Sequence, residues 1–400
     1  MEKIKLGDIS KLINGDRGKN YPSQADITKE GEIPFVNAGH LNGRNIDFGE
    51  MNYISREKYG KLSSGKFQRG DILYCLRGSL GKKAIVSNDI EGAIASSLVV
   101  IRPDREKVNG EYLMLALDSP AIKEQLVKAN NGSSQPNLSA ASVREYDIEL
   151  PELSVQKEVV ERLEKVKNVI DSRMQELQLL DELIKARFVE MFGDPISNPM
   201  EWPVKRLAEI SLLITNGNTP KGGSENYVDK GIMFLRSQNV WRNRIDLGDV
   251  AYIDETTHFA MEKSSVHNKD ILITKTGRIN TENSSLGRAA LFHGKDNSAN
   301  INGHVYLVRL DGTMIPEYVV AILTGEPYRR YIRKVCVGGI DKRQINLDQV
   351  EDFPIILPPL ELQKQFANFV AQIDKLKVAV QKALDETQLL FDSLMQKYFG

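Results

Sequence analysis

A chain of 400 residues, 41% hydrophobic and 27% charged, has room for two or three globular domains and the composition of an ordinary folded protein. No apolar run approaches the roughly 18 residues of a membrane span, the start Met1-Glu2-Lys3-Ile4-Lys5 lacks a signal-peptide core, and two cysteines, Cys75 and Cys336, are too few for a disulfide framework. A reduced, cytoplasmic protein with no membrane partner is therefore expected. The net charge of −1 does not argue for a polyanionic partner. Residues 1–150 carry 21 Lys/Arg against 20 Asp/Glu, residues 201–350 carry 20 against 17, and the two remaining segments together carry 12 against 17. The separation is mild, so function has to be argued from local sites.

Residues 1–150 read as a mixed α/β domain. Short β-branched and aromatic runs at Ile33–Val36, Ile72–Cys75 and Leu98–Ile101 alternate with Gly- and Asn-rich turns, and helical stretches follow at Glu111–Leu117 and Ala121–Ala129. Residues 151–193 read as one long helix. Leu163, Ile170, Leu177, Ile184 and Met191 form a seven-residue row; Val159, Val166 and Leu180 form its neighbour, broken by Arg173 and Arg187. Gly193-Asp194-Pro195 ends it.

Residues 194–357 then repeat the first domain. Gly31–Val36 recurs as Gly231–Leu235, Tyr53-Ile54-Ser55 as Tyr252-Ile253-Asp254, and Asp71-Ile72-Leu73 as Asp270-Ile271-Leu272. Leu80-Gly81-Lys82 recurs as Leu286-Gly287-Arg288, and Ile148-Glu149-Leu150-Pro151 as Ile355-Ile356-Leu357-Pro358. Strands are expected again at Ile271–Thr274 and Val305–Arg309, with helices at Glu317–Leu323 and Tyr328–Lys334. Residues 358–400 repeat the long helix, with Phe366, Ile373, Val380 and Leu394 in one row and Val370, Leu384, Phe391 and Tyr398 in the other, interrupted at Lys377 and Thr387. Phe192-Gly193 recurs as Phe399-Gly400, so the second copy is expected to be complete. Each helix of 35–40 residues measures about 55 Å. The fold class expected is α+β: two duplicated mixed domains separated by two long helices that pair as an antiparallel coiled coil, with Leu163, Ile170, Leu177, Ile184, Phe366, Ile373, Val380 and Leu384 in the seam.

Catalytic signatures are missing. The five histidines have no metal-ligand spacing, and Gly78-Ser79-Leu80-Gly81-Lys82 is too short for a phosphate loop. Leu357-Pro358-Pro359-Leu360 lacks the polar first residue and aromatic last residue with which an amino-methyltransferase grips a flipped base. Two rival readings remain open: a nuclease built around Asp270 and Lys275, and a coiled-coil scaffold with no DNA role.

The ordered series Ile-Pro-Phe-Val-Asn (33–37), Tyr-Ile-Ser, Gly-Asp-Ile-Leu and Leu-Gly-Lys, echoed by Phe-Leu-Arg-Ser-Gln-Asn-Val (234–240), Tyr-Ile-Asp and Asp-Ile-Leu-Ile, resembles the specificity subunits of type I restriction–modification enzymes. The resemblance includes Leu-Pro-x-Leu-x-x-Gln at the head of each long helix (150–156, 357–363) and covers the whole chain. It implies a non-catalytic subunit with two target-recognition domains, each reading one half of a bipartite duplex DNA site. The helices would fix the spacer and dock two methyltransferase subunits, to which restriction/translocase subunits add. It further implies that S-adenosylmethionine, ATP and Mg²⁺ belong to those partners, with no cofactor or metal in this chain.

Reading DNA needs side chains that pair with base edges and cations or amides on phosphates. Three places per domain offer them. The turn after the opening strand carries Asn37, His40, Asn42 and Arg44, and in the second copy Arg236, Gln238, Asn239, Arg242 and Arg244. The glycine-rich loop after Asp-Ile-Leu carries Arg77, Lys82 and Lys83, matched by Lys275, Arg278 and Arg288. The last loop carries Ser134, Gln135 and Asn137, matched by Lys342, Arg343, Gln344 and Asn346. Arg330 and Arg333 stand just before the latter in a basic stretch.

Overall fold

A computed structural model describes residues 3–130, 136–220, 222–279, 281, 283–339 and 341–400. The chain divides into two compact units, residues 1–174 with 382–400, and residues 175–381. Expected boundaries at 150, 193 and 357 treat each long helix as an element of its own. The contacts instead divide each helix near its middle, because the two halves pack on different domains.

The first unit holds two four-stranded sheets. One is antiparallel, in the order Ser10–Asn14, Leu98–Pro103, Ile72–Cys75, Lys83–Ile85. The other runs Tyr53–Ile54, Ile33–Val36, Gly92–Ile94, Lys66–Phe67, with its two central strands parallel. Ile72–Cys75 is buried throughout, and its side chains alternate between two cores. Leu73 and Cys75 face the second sheet, with Val36, Phe67 and Ile94; Ile72 and Tyr74 face the helices, with Tyr112, Leu113 and Val143. An apolar run with no polar partner face is what a strand covered on both sides requires.

The second unit repeats this order. Ser211–Asn216, Val305–Leu310, Ile271–Thr274 and Ala289–Leu291 form one sheet, and Ala251–Ile253, Ile232–Leu235, Ala299–Ile301 and Ser265–Val266 the other. Leu272 faces the second sheet, while Ile271 and Ile273 face the helices. The helices expected after the last strand are Gly110–Ala116 and Pro120–Ala129 in one copy, and Pro316–Thr324 and Glu326–Val335 in the other. Each domain is closed by a pair joining its ends, Lys3–Lys5 with Asp147–Glu149, and Val204–Arg206 with Pro354–Ile356.

One repeated contact was not anticipated. Asp71, almost fully buried, receives both Nε (2.8 Å) and a terminal nitrogen (2.7 Å) of Arg102, and Asp270 receives Arg309 in the same way at 2.9 and 2.7 Å. These bidentate pairs tie neighbouring strands of the antiparallel sheet.

The long helices α1 (Leu153–Phe192) and α2 (Leu360–Phe399) each have 40 residues. In the first unit Val159, Val160 and Leu163 of α1 and Met395 and Phe399 of α2 enter the domain core, where the Phe399 and Tyr112 rings lie 5.0 Å apart. In the second unit Phe188 and Phe192 of α1 meet Phe366 of α2 and Tyr318 of the domain. There Asp181 pairs with Lys377 at 2.7 Å and Phe188 with Phe366 at 5.5 Å, so one helix rises in number as the other falls and the pairing is antiparallel. Leu163, Ile170, Phe366, Ile373 and Val380 are buried; Leu177, Ile184 and Leu384 are half-buried. At the C-terminal ends the heptad rows drift. Phe188 and Phe192, and Met395 and Phe399, are buried where the rows name Met191, Leu394 and Tyr398, as expected when 3.6 residues per turn outrun a 3.5-residue repeat. Among the described residues no helix is long and apolar enough to cross a membrane.

Gln156 and Gln363, both buried, fasten the head of each helix to its domain. Gln156 Oε1 accepts from the Asn109 backbone N–H at 2.8 Å, and its Nε2 donates to the carbonyls of Lys107 and Pro151 at 3.0 and 2.8 Å. Gln363 accepts from the Ile315 N–H at 3.0 Å and donates to the Pro358 carbonyl at 2.9 Å. Truncating Gln156 to Ala would leave buried backbone groups unpaired. The expected loss is roughly 1–3 kcal/mol for each group left without a partner, read as a lower urea midpoint, with Gln156→Glu losing at least as much, because its carboxylate cannot donate to the two carbonyls.

Candidate nucleic-acid interface

Local sequence sets each candidate loop. In the first domain Asn37 caps a short turn by accepting from the Gly39 N–H, and a two-residue hairpin, Leu41–Asn42 with Asn45–Ile46, follows with Gly43 at φ 60°. The second domain has a hairpin of the same length, Val240–Trp241 with Arg244–Ile245, whose positive φ falls on the second turn residue, Asn243 (57°), instead of the first. A turn of this kind needs positive φ, which Gly and Asn adopt most readily.

The structure brings the second and third candidate loops together in both domains. Arg77 and Asn137 are bridged through their backbones, Arg77 Nε donates to Asn137 Oδ1 at 3.2 Å, and the Gly78 N–H donates to the Pro136 carbonyl. In the second domain the contact widens into a ribbon in which Thr276 faces Gln344, Gly277 faces Arg343 and Arg278 faces Lys342. Val337–Gly338 lies against its other edge. Arg278 and Lys342 are exposed and directly opposite, an arrangement that repels unless an anion lies between them. Arg343 is half-buried, and its Nε lacks a hydrogen-bond partner. Gln344 is exposed and donates to Asn346 Oδ1 at 3.1 Å.

The first loop joins the second through a few contacts. Lys82 Nζ donates to the Ala38 carbonyl at 3.0 Å. In the second domain Arg288 stacks 4.0 Å over Trp241, and within the glycine-rich loop the Ser285 hydroxyl donates to the Thr276 carbonyl at 2.7 Å. Lys275 lies 5.6 Å from the Tyr306 ring. Asn42, Arg77, Asn137, Gln238, Arg242, Arg278, Arg330, Lys342 and Gln344 have exposed side chains, and Arg333 is half-exposed. Arg330 stands 4.0 Å from Asp194. Ser134 and Gln135 lie outside the described residues.

Several sequence candidates are occupied inside their own domain. His40 is buried, and its Nδ1 accepts from the Asn37 N–H at 3.1 Å, which fixes the turn; burial lowers its pKa. Asn239 is buried and donates to the carbonyls of Asp246 and Asp249, both at 3.0 Å. Arg236 and Gln238 both reach Asp249, and Arg44 is held by Glu111 and Glu164. Lys83 is buried against Asp118, and burial lowers its pKa. Arg288 is buried, donating to the Asn283 and Ser284 carbonyls. For His40, Asn239, Lys83 and Arg288 the expectation of a free side chain is corrected to a structural placement, because a polar group under the surface must spend its donors locally. Asp270, the centre of the nuclease alternative, has both oxygens on Arg309.

Two copies of one loop-bearing domain, each completed by parts of two long helices, define a duplicated two-domain protein. The chain belongs to the family described as the Type I restriction modification DNA specificity domain, which it matches over residues 1–182 and 199–387. It is 22% identical over 391 residues to the type I restriction enzyme MjaIX specificity subunit of Methanocaldococcus jannaschii, covering 92% of this chain and 86% of that one. It is also 22% identical to the EcoKI specificity subunit of Escherichia coli strain K12, covering 98% and 88%. The match to the putative MjaX specificity subunit of M. jannaschii, 25% identical, spans 46% of that protein. Among solved structures, the S subunit of a type I restriction-modification system from M. genitalium aligns over 100% of this chain and 96% of its own, with 15% identity and a TM-score of 0.56. A chain solved in work on complex assembly and conformational transition of the type I R-M system aligns over 100% and 97%, with 19% identity and a TM-score of 0.61. Family and fold agree, and the family's members are recognition subunits rather than enzymes.

The correction at Lys83 is testable. Its depressed pKa means that the charged form costs the folded state near neutral pH, and that this cost disappears as pH rises into the lysine range. Lys83→Met should therefore fold within about 1 kcal/mol of wild type, or more stably. Wild type should gain on the variant as the pH becomes alkaline, measured by urea midpoints at the two pH values.

Proposed function

We propose that each domain binds one half of a bipartite duplex DNA site, while the paired helices set the spacer and carry two methyltransferase subunits. Restriction/translocase subunits then join that core. S-adenosylmethionine, ATP and Mg²⁺ act in those partners, and this chain supplies recognition. The observation that carries the reading is the loop pair built twice. In each copy the glycine-rich loop and the last loop are joined, by Arg77 with Asn137 and by Arg278 with Lys342, so that cations and amides lie side by side. Cations suit phosphates, and amides or guanidinium groups suit base edges, so one such surface can both hold and read a duplex.

Gln344→Ala and Arg343→Ala should each weaken binding through the second half-site alone, by roughly 1–3 kcal/mol for a lost base contact. Competition between duplexes altered in one half-site or the other, with the methyltransferase partner present, makes the measurement. Equal loss at both half-sites would count against two separate readers.

The helices are tested by length. Four residues inserted near Gln178 add about 6 Å, or one to two base pairs of about 3.4 Å each. The assembled variant should methylate targets whose spacer is longer by that amount, with both half-sites unchanged, on a library of random spacers. Full activity at the original spacer would mean that the helices do not set the gap.

A further inference from the structure

The second domain sets two arginines against one indole and a third beside them in the same hairpin. Trp241 sits at the end of the Val240–Trp241 strand, with its Nε1 donating to the Gln238 carbonyl at 3.0 Å, which fixes the ring. Arg288 lies 4.0 Å from the ring centroid and Arg244 5.4 Å. Arg242, in the turn of the same hairpin, is exposed and has no carboxylate within 4.0 Å among the described residues. Arg244 approaches only Asp246, at 3.9 Å, with both side chains largely in solvent. Arg288 has its proton affinity lowered by burial and then by Arg242 and Arg244, with no acid in opposition. Three guanidinium groups with one carboxylate, Asp246, beside them carry an excess of like charge that repels, and an anion would relieve the repulsion.

The first domain does not repeat the cluster. In its hairpin the paired positions are Asn42 and Asn45 where the second domain has Trp241 and Arg244. Gly43 stands in place of Arg242, and Lys82 follows the Leu-Gly dipeptide where Arg288 does in the second copy. Its one hairpin arginine, Arg44, is neutralised by Glu111 and Glu164. The fold is duplicated; the unneutralised charge is not.

We propose that Arg244, oriented by Trp241, and the exposed turn residue Arg242, both backed by Arg288, form a site for consecutive phosphodiester groups of the DNA backbone, present in the second domain alone. Planar guanidinium groups match phosphate oxygens in pairs, and an indole face holds a guanidinium plane in a fixed orientation. Arg288 spends its own donors on the Asn283 and Ser284 carbonyls and serves as a positioning residue that adds positive field. The same 283–288 loop reaches the ribbon bearing Arg278 and Lys342 through the Ser285–Thr276 hydrogen bond, so the backbone site adjoins the reading ribbon. The inference rests on the DNA-binding reading and adds to it that sequence-independent affinity is concentrated at one half-site.

The test uses the full chain and a fluorescein-labelled duplex of random sequence, with affinity measured between about 50 and 200 mM salt. Arg242→Gln/Arg244→Gln should flatten the plot of log affinity against log salt by about two units, because each phosphate contact contributes about 0.9. The loss should be the same on every duplex sequence. Arg242→Gln, a single change at an exposed turn, should flatten it by about one unit and covers the case in which the double variant folds poorly. Lys263→Gln removes one exposed charge of the same domain elsewhere and should leave the slope unaltered. Wild-type binding with an unchanged slope in the arginine variants would overturn the phosphate site and leave the DNA reading standing. A loss confined to particular sequences would overturn it also, by making these residues base readers. No binding by wild type, even with methyltransferase subunits added, would remove the DNA reading itself.

Discussion

Neither domain closes its own core. The face of the antiparallel sheet that carries Ile72 and Tyr74 is covered by the short helices of the domain and by Val159, Val160, Leu163, Met395 and Phe399 from the two long ones. In the second unit the same place is taken by Phe188, Phe192 and Phe366 against Tyr318. Large aromatic side chains bury much area and are costly to expose, so domain stability and helix pairing are one event. A helix of 40 residues with a modest apolar stripe would be frayed in isolation; packed at its ends into two cores it has a fixed partner and direction.

That dependence makes the helix heads critical. Gln156 and Gln363 are the only polar side chains of the long helices that are fully enclosed among the described residues, and each serves backbone groups of the segment that leads into the helix after the domain's long last strand, Gly110–Ala116 or Pro316–Thr324. An apolar residue there would leave those groups unpaired, whereas a solvent-exposed polar residue would not direct the helix. The buried Asp71–Arg102 and Asp270–Arg309 pairs do the corresponding work within each sheet. The exposed loops carry cations, among them Arg242, Arg278 and Lys342, that form no ion pair among the described residues. The buried ion pairs stand at matching positions of the two copies, whereas the exposed loop cations differ between them.

Much of the architecture was legible in the chain itself. The duplication follows from ordered motifs with a drifting offset, and the long helices from apolar rows without Pro or Gly. Ile33–Val36, Ile72–Cys75 and Ile271–Thr274 are strands with the expected bounds. These features depend on near neighbours in sequence, and local pattern encodes them. What tertiary structure alone decided is which polar side chain remains free. His40, Lys83, Asn239 and Arg288 have the residue types of a DNA-contacting surface, yet partners brought from Asn37, Asp118, Asp249 and Trp241 bury them. The assembly of Arg77 with Asn137, and of Arg278 with Lys342, joins residues about 60 positions apart through sheet closure. The slip from Met191 to Phe192 at the helix end comes from the difference between 3.5 and 3.6 residues per turn, accumulated until the domain core selects the residue that fits. Burial and charge compensation are sums over neighbours in space, and the sequence does not list those neighbours in order.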